Sequence, residues 1–221
     1  MVASAITLLP PEQMPGGSDV PPGSTSDDLT VPNMKVRRVV TGHDESGRSI
    51  FVSDGPAPRH HDFQDMPGHG VSQVWCTDEN AGSTGDPTLL KKSLIPGPGS
   101  TSLLIVNFPP DGVMMSPIEP ERAFSEMSNV LPGLFECFEP DQPGMHRTPT
   151  VDYGILLEGE LVLELDDGEQ KLLRAGDVII QNATRHAWRN LTQKVAKAAF
   201  FMIGHAPTVT ATAKIGMTFS A

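Results

Sequence analysis

Between Tyr153 and Gln181 the chain reads YGILLEGELVLELDDGEQKLLRAGDVIIQ, a run of short apolar segments cut at Glu158-Gly159, Asp167-Gly168 and Ala175-Gly176. Leu161, Leu163 and Leu165 fall on one face of an extended segment, the period of two that a strand imposes and a helix does not. Asp-Gly between two such segments is a hairpin turn, because a tight turn of that kind needs positive φ at both central residues. HAWRNLT and AKAAFFMIGHA read as two further strands, so at least six follow residue 145. Short strands at near-regular spacing close into a small barrel or jelly roll, and they leave no room for the crossover helices of an α/β fold. The fold class is all-β.

Upstream, VRRVVTG and RSIFVSDG flank a polar turn ending at Gly47, which predicts a hairpin over Val36 to Asp54. VSQVWCTD alternates as a short strand, and TSLLIVNF reads as a buried strand stopped by Pro109 and Pro110. A helix is expected over Pro120 to Val130, ended by Pro132. GPAPRHHDFQDMPGHG reads as a loop. The segment before residue 34 is dense in Pro, Gly, Ser and Asp and cannot bury enough apolar surface to offset its ordering entropy. Three regions follow: a flexible arm over 1–33, N-terminal strands and loops over 34–101 that pack on the barrel, and the barrel itself over 102–221.

Lys+Arg 16 against Asp+Glu 27 gives a formal net charge of -11, with no basic stripe, which excludes nucleic acid as a partner. No apolar run approaches the length of a membrane span, and the N-terminus lacks the basic leading region of a secretory signal. Cys76 and Cys137 lie in unrelated contexts and read as free thiols. The expectation is a soluble, cytoplasmic protein with a small-molecule substrate and no membrane partner.

Two stretches carry chemistry. In GMHRTPTVDYGILLEG, strand alternation puts His146 and Thr148 on one face and Arg147 on the other, with Asp152 four residues further on. In QNATRHAWRN, His186, Trp188 and Asn190 share a face. The region from about Gly144 to Asn190 resembles the two motifs of the cupin superfamily. The first is Gly, five residues, His-x-His, three or four residues, Glu, six residues and Gly. The second is Gly, five residues, Pro-x-Gly, two residues, His, three residues and Asn. His146 stands at the first histidine, Thr148 at the second, Asp152 at the glutamate, Gly159 at the closing glycine, His186 at the second-motif histidine and Asn190 at the asparagine. Pro140 replaces the opening glycine, Gln181-Asn182-Ala183 replaces Pro-x-Gly, and the gap after Gly176 is one residue short. More loosely, the chain resembles small single-domain cupins of microbial and fungal secondary metabolism.

That resemblance implies a cupin-type double-stranded β-helix, a jelly-roll barrel with an N-terminal strand extension, and a homodimer formed through those N-terminal strands. It also implies a divalent-metal centre, reduced here to two histidines and a carboxylate. His146, Asp152 and His186 are the candidate ligands and catalytic groups, a set that suits Fe(II) foremost and also Mn, Ni or Zn. Thr148, Gln181, Trp188 and Asn190 are the candidate substrate-binding residues. The implied reactions are lyase-type decarboxylation or dehydration, isomerisation or dioxygenation of an oxygenated or aromatic organic molecule. The residues by themselves leave two other readings open. In one, His146 and His186 are hydrogen-bonded interior groups, Asp152 pairs with Arg147 or Arg185, and a histidine serves as acid and base without metal. In the other, the cavity binds a small ligand without turnover. His60-His61-Asp62 reads as a solvated loop, and His43, His69 and His205 receive no role.

Overall fold

The structure is a computed structural model that describes residues 35–78, 85–90 and 92–205. The arm expected over 1–33 lies outside the described residues. The expected N-terminal hairpin forms as β1 (Arg37–His43) and β2 (Ser49–Pro56), paired antiparallel around a turn in which Asp44 collects the Ser46 and Arg48 backbone N–H groups. Next come β3 (Arg59–Asp62), β4 (Gly70–Thr77) and β5 (Thr101–Phe108). Two helices follow, α1 (Asp111–Met115) and α2 (Pro120–Val130), and then β6 (Thr150–Glu158), β7 (Glu160–Glu164), β8 (Gln170–Arg174), β9 (Val178–Asn182), β10 (Ala187–Arg189) and β11 (Ala196–Gly204).

Three antiparallel sheets result. Six strands lie in the order β3-β4-β5-β11-β6-β9, three in the order β10-β7-β8, and β1 pairs with β2 alone. The non-consecutive neighbours are the mark of a jelly roll, in which strands distant in sequence pair across the sheet. Ala198, Phe200 and Met202 of β11, the apolar strand at the centre of the larger sheet, point inward, while Phe201 and Ile203 point out. The smaller sheet meets them face to face: Trp188 of β10 packs on Phe200 at a ring separation of 5.2 Å and on Phe108 of β5 at 6.4 Å. Leu161 of β7 and Leu156 of β6 join the same core. The Asp-Gly turn between β7 and β8 forms as its sequence demands, with Asp167 at φ 57 and Gly168 at φ 74, and the Glu169 N–H donating to Asp166 O.

Two features differ from the sequence expectation. Arg59 to Asp62 is a strand rather than a loop: it pairs with β4, and its two imidazoles are committed on opposite sides, His60 to Ser72 and Asp62, His61 to Glu126 of α2. A four-residue strand too polar to show period two owes its form to the partner that its backbone finds. Asp111 to Met115 is helical where only a proline stop was expected; Pro110 precedes it, and the Asp111 carboxylate accepts the Asn190 N–H. Helix α2 sits where its sequence placed it. Ala123, Met127 and Leu131, spaced i, i+4 and i+8, turn toward the core, while Arg122 pairs with the buried Asp65 at 2.5 and 2.7 Å and Glu126 with His61 at 2.7 Å. These contacts lay α2 across one side of the barrel. Among the described residues no helix is long and apolar enough to cross a membrane.

Candidate active site

A cavity of about 670 Å³ opens between the larger sheet, β10 and the helical segment, within the size range of small-molecule sites. Most of its wall is apolar: Leu104, Val106 and Phe108 of β5, Phe200 and Met202 of β11, and Met127 and Leu131 of the helical segment. Its chemistry gathers on one side. His146, Thr148, Asp152, His186 and Trp188, five of the seven residues expected from the sequence, all line it.

The two histidines are brought together by backbone. His146 N donates to His186 O at 2.9 Å and His186 N to His146 O at 3.0 Å, an isolated antiparallel bridge that sets the imidazoles 4.3 Å apart, centroid to centroid. Each ring then bonds a carbonyl two residues before it: His146 Nδ1 lies 3.0 Å from Gly144 O and His186 Nδ1 2.9 Å from Thr184 O. A carbonyl only accepts, so each Nδ1 carries the hydrogen and each Nε2 keeps its lone pair. Both rings are held neutral: burial pushes the His146 pKa down, and burial with the neighbouring His146 ring brings His186 to about 4. Trp188 stands edge-on to His186 at 5.7 Å and 84° and forms the aromatic wall.

Asp152 lies on β6 with its side chain 5% exposed, and its Oδ1 is a buried oxygen with no partner. Burial raises its pKa to about 6. Of the two arginines expected as alternative partners, Arg185 bonds Glu139 at 2.6 and 2.7 Å and Asp166 at 2.8 Å, so it does not pair with Asp152. Tyr153, next in the chain, is 45% exposed, as strand alternation requires. Thr148 is buried and accepts a hydrogen bond from the Thr150 hydroxyl at 2.8 Å.

Gln181 and Asn190 do not line the cavity. Asn190 Nδ2 donates to Phe108 O and to Lys194 O, both at 2.7 Å, while its Oδ1 accepts from Thr192, so every polar atom is spent fastening the β10–β11 connection to β5. Gln181 turns back to the Thr184 carbonyl and hydroxyl, which shapes the turn that presents His186. Face alternation put Asn190 with His186 and Trp188, but alternation cannot foresee the local backbone acceptors that claim Asn190 and Gln181.

His69 was missed. Although flanked by Gly68 and Gly70, it is 5% exposed, stacks on Phe63 at 4.4 Å, donates from Nδ1 to Asn107 O at 2.9 Å and lines the cavity. Burial holds it neutral, with its pKa lowered to about 4. The helical segment was missed as a cavity wall too, although the Ala123, Met127 and Leu131 spacing signals a buried face.

The expected metal set is only partly met. The paired imidazoles with free Nε2 lone pairs suit a metal ion, and ligating histidines ordinarily have the other ring nitrogen bonded in this way. Yet among the described residues no three His, Cys, Asp or Glu side chains gather closely enough to hold an ion. Asp152 is one methylene shorter than the glutamate of the cupin motif, and it lines the cavity without closing on the histidines.

Residues 134–203 match the family model described as Cupin domain. Phomopsin biosynthesis cluster protein C' of Diaporthe leptostromiformis is 30% identical over 172 residues, 75% of this chain and 74% of that protein. The cupin-domain-containing oxidoreductase srdD of Neurospora crassa is 26% identical over 187 residues, covering 84% and 79% of the two chains. Oryzines biosynthesis cluster protein J of Aspergillus oryzae is 42% identical over 69 residues, but these cover 31% of this chain and only 38% of that relative. The two histidine motifs, the jelly-roll strand order that carries them and a relative matched along most of both lengths lead to one assignment: the chain belongs to the cupin family.

Proposed function

We propose that the chain is a small-molecule enzyme of secondary metabolism that works by proton transfer on an oxygen-bearing organic substrate. The observation that carries this is Asp152, a buried carboxylate with an unpartnered Oδ1 in the wall of an apolar cavity. A group whose pKa lies near the working pH is the effective general base, and at about 6 Asp152 fits that role better than His186 at about 4. The Nε2 atoms of His146 and His186 accept hydrogen bonds from a substrate hydroxyl or enol and hold the molecule against Trp188. Asp152 takes a proton from the oriented substrate and returns it at another atom, the net course of an isomerisation, or delivers it to a departing hydroxide in a dehydration. The surrounding apolar wall keeps bulk water from the exchanging proton. The names of the relatives, which refer to biosynthesis clusters, support the metabolic setting.

A second reading is favoured by the Nδ1 locks and by the oxidoreductase name of srdD. A divalent ion, Fe(II) foremost, held by His146 and His186 with Asp152 drawn in as the third ligand, would supply Lewis-acid or redox chemistry at the same corner. The assembly goes with either reading: a homodimer through β1 and β2, supported by Phe51 and Val52, which are 77% and 55% exposed on β2.

Deuterium exchange separates the two readings. Enolisable aromatic ketones and hydroxylated aromatics are incubated in D2O with purified protein, and exchange at the acidic C–H is followed by NMR. The expected result is exchange that survives chelation and falls at least a hundredfold in Asp152→Asn. Stoichiometric Fe, Mn, Ni or Zn, lost in His146→Ala and His186→Ala and required for turnover, would replace this reading with the second one.

A further inference from the structure

The cavity is larger than its polar corner requires. Counting strands along the larger sheet, its floor runs from Asp152 on β6 across Phe200 and Met202 on β11 and Leu104 and Val106 on β5 to Val71 on β4. That is three strand steps, roughly 14 Å at about 4.8 Å each. The paired imidazoles and the carboxylate, His146, His186 and Asp152, stand together at the β6 and β10 end. The far end is mostly apolar, closed by Met66 and by the inner face of α2; His69 there is a neutral ring stacked flat on Phe63, with Nδ1 bonded to Asn107 O and a single Nε2 lone pair left.

Charge narrows the ligand further. At the reactive end the tautomers fixed by Gly144 O and Thr184 O present lone pairs, and Asp152 Oδ1 presents another, so this end accepts hydrogen bonds. A cationic side chain does line the cavity, Arg189, but it is neutralised by Glu164 at 2.7 Å and anchored to Pro143 O at 2.8 Å. An anionic head would meet a carboxylate and two imidazole lone pairs, with no free cation among the described lining residues to offset them.

We infer that the substrate is an elongated, uncharged molecule: a hydroxyl-bearing, ring-sized head at His146, His186 and Asp152, and an apolar chain laid across β11 and β5 beneath α2. The inference rests on the cavity being the substrate site and deepens that reading. It excludes carboxylates, phosphates and compact polar metabolites as the natural ligand class.

The test is equilibrium binding, read by quenching of Trp188 fluorescence against a Trp75→Phe background. The probes are 4-propylphenol, 4-pentylphenol, 4-heptylphenol and the alkanoates of matched length. Dissociation constants should fall about fourfold for each added methylene, the increment expected for burying a CH₂ group. Each alkanoate should bind at least tenfold more weakly than its alkylphenol. Filling the far end with Met127→Phe should abolish the gain from propyl to heptyl and leave 4-propylphenol bound as before. Affinity independent of chain length, alkanoates binding as tightly as phenols, or a length series unchanged in Met127→Phe would each overturn the inference. Since the readout needs no turnover, its failure is distinct from that of the enzymatic reading. A protein that shows the length series but exchanges no proton refutes only the latter, and one that exchanges protons without the length series refutes only the former.

Discussion

His146 and His186 are joined by reciprocal backbone hydrogen bonds of 2.9 and 3.0 Å, and their rings stand 4.3 Å apart. Forty residues of chain separate them, yet the bridge makes them cross-strand neighbours, and each ring is then turned by a carbonyl two residues upstream. Orientation at this site is therefore a backbone property. Ring position should survive substitution of any one of the surrounding side chains.

Asp152 is a strained element of the fold at neutral pH. Its folded pKa of about 6 lies above the ordinary carboxylate value, so the folded state holds its proton more tightly; stability is lost as pH rises from about 4 to 6, and the full cost of the buried charge is present above 6. Asp152→Asn should stabilise the protein at pH 7 by about 3 kcal/mol. The gain should shrink as pH falls from 6 toward 4, where both folded and unfolded chains carry the proton. Urea melts of the two proteins at pH 7 and pH 4.5 check it. A variant less stable than the parent at pH 7 would count against a buried, unpartnered carboxylate.

His69 gives the opposite slope. Its folded pKa is about 4 against an unfolded value near 6.5, so the unfolded chain binds the extra proton in that interval. The stability of neutral His69 is fully present above pH 6.5 and is lost as pH falls toward 4, by about 3 kcal/mol for this residue alone. His186, also near 4, adds in the same direction. Acid should thus destabilise the fold despite the opposing contribution of Asp152, and His69→Phe, which keeps the stacking on Phe63, should flatten the pH profile between 6.5 and 4.

Asn190 stands at a motif position that suggests substrate contact, but its amide serves the backbone. Asn190→Ala should lower stability by about 3 kcal/mol, because it leaves buried carbonyls and N–H groups unpaired. Alkylphenol affinity should stay within twofold of the parent when measured below the melting range. A selective loss of affinity with unchanged stability would restore the substrate-binding role.

The proposed dimer has its own signature. Light scattering should give a mass twice 23.7 kDa, and Phe51→Asp combined with Val52→Asp should return a folded monomer with the same circular dichroism. A monomeric parent protein would remove β1 and β2 from the assembly.

The alternating and turn-bounded sequence from Tyr153 onward determined the strands, because period two and an Asp-Gly turn are local consequences of backbone geometry. It likewise located α2 between two prolines and put His146, Asp152, His186 and Trp188 on inward faces. Which of these become neighbours was decided by the antiparallel pairings, above all the bridge between His146 and His186. Tertiary structure alone decided the rest. Arg59 to Asp62 became a strand because β4 offered it a partner, and His69 became a cavity wall because Phe63 and the Asn107 carbonyl enclosed it. Asn190 and Gln181 were claimed by nearby backbone, and Asp152 was left without the arginine that Glu139 and Asp166 had already taken. Strand faces are fixed by residues one or two apart, whereas burial, pairing and the pKa of a carboxylate depend on groups brought together from distant parts of the chain.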